Sequence, residues 1–262
     1  MSRRPSFPAR LDAATGKAPL LARQKMDTSA ARTLAGPRAP PRAAAGGGDS
    51  RALRERMVQR LAAQGISHPG VLAALGAVER HHFIDTALSS QSYEDTSLPI
   101  GLGQTISKPS VVARMLELLL GAGRDGEPLG RVLEIGTGCG YQAAVLSRVV
   151  REVYSIERLR GLHDKARENL RPLRLANVHL LFGDGMAGFP KGAPYAGIIA
   201  AAGGEAVPPA WIEQLAVGGR IVAPTVVAGG RQALVVLEKT PRELKQSVLE
   251  AVHFVPLKSG IA

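Results

Sequence analysis

RVLEIGTGCGYQAAVLS, residues 131–147, is the stretch from which the fold can be read. Val132-Leu133 is a short apolar run, Glu134 follows, and Gly136, Gly138 and Gly140 then occupy every second position. Beyond them Ala143, Ala144 and Leu146 are spaced to face a core from a helix. A strand, a tight glycine turn and a helix start follow one another, a geometry that brings bare backbone close to a nucleotide-like ligand.

Downstream, strands and helices alternate. Glu152–Ile156 reads as a buried strand ending at Glu157, followed by a helix over 158–173 and a third strand, Val178–Phe182, closing on Gly183-Asp184-Gly185. A fourth strand over 197–202 is entirely small or aliphatic, as a central parallel strand should be. A helix over 209–215 precedes two β-rich runs, 220–227 and 232–238, joined by Ala-Gly-Gly-Arg as a hairpin, and a last strand over 247–255. This alternation predicts an α/β, doubly wound, mostly parallel sheet with antiparallel edge strands. Upstream, Leu53, Met57 and Leu61 predict an amphipathic helix from an N-cap at Ser50 to Gly65, and residues 71–78 a second. Residues 98–107, LPIGLGQTIS, have the glycines and small polar side chains of a defined loop, docked on a helix over 110–120 whose first turn Pro109 suits. Thr105, Ser107 and nearby N–H groups there could also form an anion site.

Ligands of such sheets lie at the carboxyl ends of the strands, and three acids fall there: Glu134, Glu157 and Asp184. Glu157 suits two ribose hydroxyls, Asp184 an adenine amino group, and Glu134 an ammonium group. An acid at 134 would repel a diphosphate, and Gly136-Thr-Gly-Cys-Gly-Tyr141 is G-x-G-x-G rather than the dinucleotide G-x-G-x-x-G. Both features favour S-adenosyl-L-methionine, a cationic ligand, over NAD.

Composition narrows the class further. The chain is 45% apolar and 21% charged, with no run of about 18 apolar residues, so no membrane span is expected. The net charge of +11 is uneven: residues 1–49 carry nine Lys/Arg and three Asp among Pro, Ala and Gly. They read as a disordered basic extension, with a nucleic-acid arm or a targeting peptide as the sharper options. The domain proper, 50–262, is only mildly basic, which argues against nucleic acid as a partner. Cys139 is the only cysteine, and no histidine has HxH or HExxH company. Adjacent side chains such as His81 and His82 point apart on a helix, so no metal site is expected.

Together LPIGLGQTIS, VLEIGTGCGYQAAVLS, VYSIER, GDG and AVHFVPL resemble the protein-L-isoaspartate O-methyltransferase family in its bacterial form, across residues 50–262. The diagnostic part is GQTIS followed by a helix. The resemblance implies a Rossmann-like class I methyltransferase sheet with additional N-terminal helices. It also implies Ser107 as the active-site serine, with Thr105 beside it in the cofactor and substrate cleft as a cofactor-binding residue. Gly136 and Gly138 would be the cofactor loop, Glu157 the ribose acid, Asp184-Gly185 the adenine contact, and residues 253–257 a segment closing the substrate pocket. The family usually has an acid where Ala196 stands and commonly Thr where Ala201 stands.

The implied reaction methylates the free α-carboxylate of L-isoaspartyl, and possibly D-aspartyl, residues in damaged proteins; the ester then cyclises to a succinimide. Such a carboxylate is already ionised at neutral pH and needs no general base, in keeping with the lack of a Ser-His-Asp set. A cytoplasmic monomer is expected. Two alternatives stay open: an RNA or DNA methyltransferase, suggested by the basic extension but lacking an Asn/Asp-Pro-Pro-aromatic motif after strand 4, and a cofactor-binding module without activity.

Overall fold

The computed structural model describes residues 47–121 and 127–262, all within one unit spanning Ala44–Ala262. The expectation of a disordered extension covers residues 1–49: residues 1–46 lie outside the described residues, and 47–49 are helical instead. Helix α1 (Gly47–Ala63) starts three residues before the expected cap, and the four-residue spacing places Met57 and Leu61 in the core with Leu53 packed against it. Helix α2 (Pro69–Ala77) buries Val71, Ala74 and Leu75. Two 3-10 segments, Arg80–Phe83 and Thr86–Gln91, lead to residues 98–107, which are not the expected loop.

These residues form an antiparallel hairpin of β1 (Leu98–Gly101) and β2 (Gln104–Ile106), pairing Leu98 with Ile106 and Pro99 with Thr105. Leu98 and Ile100 are buried while Pro99 and Gly101 are exposed, the period of two expected of a strand lying on a surface. Gly101, Leu102 and Gly103 all have positive φ, at 99°, 52° and 69°, and make the reversal. Helix α3 (Pro109–Leu120) follows directly. Its Lys108 cap offers no side-chain bond, and Asp95 Oδ1 instead accepts from Ser110 N at 2.9 Å.

The remaining elements are β3 (Leu129–Ile135), α4 (Tyr141–Leu146), β4 (Val150–Glu157), α5 (Arg160–Leu170), β5 (Val178–Phe182), β6 (Tyr195–Ala200), α6 (Pro209–Gln214), β7 (Leu215–Val226), β8 (Gln232–Lys239) and β9 (Leu244–Ala251). The seven long strands form one sheet in the order β5-β4-β3-β6-β7-β8-β9. Strands β5 to β7 run parallel, and β8 and β9 add the antiparallel edge. Both faces of this sheet are apolar. On β6, Ile199 faces the cluster containing α3 and α4, whereas Ile198 and Ala200 face the one around Trp211. On β8, Leu234 and Val236 likewise oppose Val235 and Leu237.

The chain leaves β3 to build β4 and β5 on one side, then returns to build β6 on the other. A crevice opens at such a switch point, beyond the carboxyl ends of β3 and β6. Two boundaries shift toward it. Strand β6 ends at Ala200 rather than 202: Ala201 N makes a last bond to β3, donating to Ile135 O at 2.8 Å, and Gly203 N then bonds to Val255 O instead. Strand β9 ends at Ala251, not 255. Residues 253–257 instead run back to the crevice, where Gly203 N donates to Val255 O and Leu257 N donates to Gly203 O, each at 2.8 Å.

Candidate active site

Between β3 and α4 the turn is fixed by its own backbone. Gly136 N donates to Ile156 O at 2.9 Å, Gly138 N to Glu157 Oε2 at 2.9 Å, and Gly140 N to Thr137 O at 2.9 Å. Gly136, Gly138 and Gly140 take φ of 89°, 57° and 90°, a region where a Cβ costs about 1–2 kcal/mol per residue. Space is equally short: a Cβ on Gly138 would lie 3.2 Å from Ile100 Cδ1. The β1–β2 hairpin therefore roofs the glycine turn, and Lys165 Nζ ties it to α5 by donating to Ile100 O at 2.8 Å.

Floor and roof enclose a cavity of about 500 Å3, inside the range of sites that engulf a small ligand. Of the residues expected in the site, Thr105, Ser107, Gly136, Gly138, Glu157 and Gly185 all line it. Thr105 is exposed and Ser107 half-buried, and neither hydroxyl hydrogen-bonds to another described residue. Both line the same cavity as the glycine turn with their bonding capacity uncommitted. Glu157 is buried; its Oε2 accepts from Gly138 N and its Oε1 from Leu159 N at 2.9 Å. Two backbone donors fix the carboxylate, and each oxygen keeps a lone pair for a hydroxyl. Gly185 needs to be glycine, since a Cβ there would come within 2.6 Å of Ile135 Cγ2. Its carbonyl accepts from Trp211 Nε1 at 2.8 Å.

The other two acids sit elsewhere. Strand alternation turns Glu134 to the same side as Val132, beneath the turn rather than on the cavity wall, and leaves it with no exposed surface. Ser155 donates to its Oε2, and the Ser155 and Thr137 hydroxyls are 2.6 Å apart. The acid expected to face an ammonium group thus supports Thr137 between two of the glycines. Burial pushes its pKa up to about 8, against the Ser155 hydrogen bond, and the charge of Glu157 adds to the rise. Asp184 also stands off the wall, its Oδ1 accepting from Met186 N at 2.8 Å and its Oδ2 from Gly260 N at 2.7 Å.

Sequence reasoning missed Leu102, Tyr141, Gln142, Arg158 and Lys258 on the wall. Arg158 and Lys258 adjoin residues singled out in the sequence, but only chain reversal brings them together. Behind Tyr141, Arg80 is fully buried with its guanidinium 5.0 Å from the ring centroid, and it donates to Ser92 O at 2.8 Å. Outside the cavity, His81 and His82 do not point apart. Their segment is a 3-10 turn, their rings lie 4.1 Å apart, and with Glu79 they bring ligand-type atoms within 4.8 Å of one another. Those atoms bond within the protein: Glu79 to Arg54 and His82, and His81 to Tyr93.

Comparison with known proteins agrees with this geometry. The family model described as Protein-L-isoaspartate(D-aspartate) O-methyltransferase matches residues 52–262. A protein-L-isoaspartate O-methyltransferase of Methylibium petroleiphilum is 56% identical over 98% of this chain and 96% of its own length. One of Burkholderia mallei is 57% identical over 81% of this chain, which spans only 65% of that relative. Among solved structures, a protein-L-isoaspartate O-methyltransferase aligns with a TM-score of 0.71 at 31% identity, covering 79% of this chain and 67% of the other. A Plasmodium falciparum protein described as a putative member, solved with S-adenosyl-L-homocysteine, aligns with a TM-score of 0.69 over 78% of this chain and 98% of its own, and at 22% identity shows the shared fold alone. With its glycine turn, serine hairpin and matched residues 52–262, the chain belongs to the protein-L-isoaspartate(D-aspartate) O-methyltransferase family.

Proposed function

We propose that this protein methylates the free α-carboxylate of L-isoaspartyl residues in damaged proteins, with Ser107 holding the acceptor and the glycine turn holding the donor. The carrying observation is the placement of an uncommitted, half-buried Ser107 hydroxyl on the same cavity as Gly136, Gly138 and Glu157. S-adenosyl-L-methionine bound there supplies an electrophilic methyl group. The cavity fits it: bare backbone at 136 and 138 lets a ligand approach closely, and Glu157 has lone pairs left for ribose hydroxyls.

The acceptor carboxylate is anionic at neutral pH, so the protein has no proton to remove. Ser107 donates to one carboxylate oxygen and leaves the other directed at the glycine turn. Thr105, one alternate position earlier on β2, offers a second hydroxyl at the mouth. Ile100, Ile106 and Val112 give that end of the cavity an apolar wall that excludes water. Orientation and desolvation of this kind can contribute several kcal/mol. Ala201 borders the same region, so this chain recognises its acceptor without the threonine hydroxyl common there in the family. The ester formed starts repair by closing to a succinimide.

A cytoplasmic monomer completes the proposal, and a buried free Cys139 suits a reducing compartment. Light scattering and cell fractionation test these two points. For the reaction, labelled S-adenosylmethionine is offered with paired isoaspartyl and aspartyl peptides, and only the isoaspartyl peptide should gain label. Equal labelling, or none, overturns the assignment. Ser107→Ala should cut turnover on the order of 100-fold while cofactor affinity holds; loss of cofactor binding alone contradicts the role given to Ser107.

A further inference from the structure

Away from the cavity, the turn that carries His81 and His82 gathers a second group of polar side chains. Residues Arg80–Phe83 form a 3-10 turn with Glu79 as its N-cap. Three residues complete one 3-10 turn, so Glu79 and His82 fall one above the other, and Glu79 Oε2 lies 2.8 Å from His82 Nε2. His81 sets its ring beside that of His82, with the planes inclined by 43°. One ligand-type atom from each of the three residues thus falls within 4.8 Å of the others.

This turn is pinned from below and from the side. Arg80 and Phe83 are buried, Arg80 bonding to Ser92 O and packing on the Tyr141 ring. Tyr93 Oη lies 2.7 Å from His81 Nδ1, and Arg54 Nη1 donates to Glu79 Oε1 at 3.0 Å. Partners placed one hydrogen bond behind a ligand are what orients imidazoles and carboxylates around a metal. Toward solvent the group is open, since the His82 and Glu79 side chains are 43% and 44% exposed.

Two imidazoles, one carboxylate and an open direction toward water make a donor set for Zn2+, whereas Ca2+ and Mg2+ prefer oxygen throughout. Tetrahedral bonds of about 2.0–2.1 Å set neighbouring ligand atoms about 3.3 Å apart. His82 Nε2 and Glu79 Oε2 need to part by about 0.5 Å, and His81 to swing in by at most about 1.5 Å. Side-chain rotation covers both movements.

We propose that Glu79, His81 and His82 bind a Zn2+ ion, with water in the fourth position. Glu79 gives Oε2 to the metal and keeps Oε1 for Arg54. The ion replaces the direct Glu79–His82 hydrogen bond and ties the two ends of the turn together. Arg80 lies between the ligands, so the ion also stiffens the support beneath Tyr141 on the cavity wall. Arg54, a cation beside a dication, weakens the site that it helps to orient.

Untagged protein stripped with a chelator is titrated with zinc chloride by calorimetry, and its Co2+ form is read by visible spectroscopy. One ion should bind per chain, Co2+ should show the intense bands of a tetrahedral site, and Tm should rise with Zn2+. His82→Ala, at a half-exposed position that tolerates truncation, should weaken binding about 100-fold. Arg54→Gln keeps a neutral donor for Glu79 and removes the repulsion, so it should bind Zn2+ about tenfold tighter. Anomalous diffraction at the zinc edge, which needs no substitution, should place the ion between Glu79 and His82. The proposal is overturned if the unaltered protein takes up no Zn2+, if His82→Ala or Arg54→Gln leaves the affinity unchanged, or if the anomalous peak lies at other residues.

Discussion

Glu134 places a titratable group beneath the cofactor turn with no access to water, and Glu134→Gln exposes what that does to stability. An unfolded glutamate titrates near 4.3, whereas burial raises the folded value to about 8. Between those limits the folded chain keeps a proton that the unfolded chain has released. Stability therefore falls by up to about 1.4 kcal/mol per pH unit from this group, and flattens above pH 8. The sign is opposite to that of a salt-bridged carboxylate: the group's contribution is best at low pH and lost as pH rises. Glutamine keeps the shape and the acceptor for Ser155 but cannot ionise. Its advantage over the unaltered protein should grow by about 3 kcal/mol from pH 5 to 7.5, roughly 6–12 °C in Tm for a domain of this size. Scanning calorimetry of both proteins across that range, taken as a difference, cancels the other titrating groups. A difference in Tm that stays constant with pH refutes the argument, because Glu134 would then be ionised in the folded protein.

Other outcomes follow from the same geometry. Gly136→Val forces a β-branched residue to φ of 89° with Ala201 Cβ close by, so it should cost about 1–3 kcal/mol and weaken S-adenosylhomocysteine binding, read by denaturation and calorimetric titration. Trp211→Phe strands the Gly185 carbonyl that Nε1 now satisfies at 2.8 Å; a loss of about 1–3 kcal/mol in urea midpoint stability is expected, with weaker cofactor binding.

The strand ends that hold the donor were readable because each is announced locally. Val178–Phe182 is a mostly apolar run, broken only by His179 and closed by glycine, and it matches β5 residue for residue. Glycines at 136, 138 and 140 can be read one at a time, since positive φ is a property of a single residue. The β1–β2 hairpin escaped the pattern reading for the opposite reason. Its turn places Leu102, a residue that ordinarily avoids positive φ, between two glycines, and its strands are four and three residues long. Only packing on the glycine turn and α5 makes such short strands persist.

By itself, then, the sequence determined the alternating sheet, the glycine turn and, through GQTIS, the family. Tertiary structure decided what the acids do. Glu134, Glu157 and Asp184 occupy equivalent places at strand ends, yet they meet different surroundings: a dry pocket around Ser155, a cavity wall, and the returning segment 258–262. Which backbone N–H reaches which carboxylate depends on residues up to 76 positions apart, and no local pattern encodes that meeting. Chain reversal at the switch point brings those groups together, and burial and hydrogen bonding there assign each acid its task.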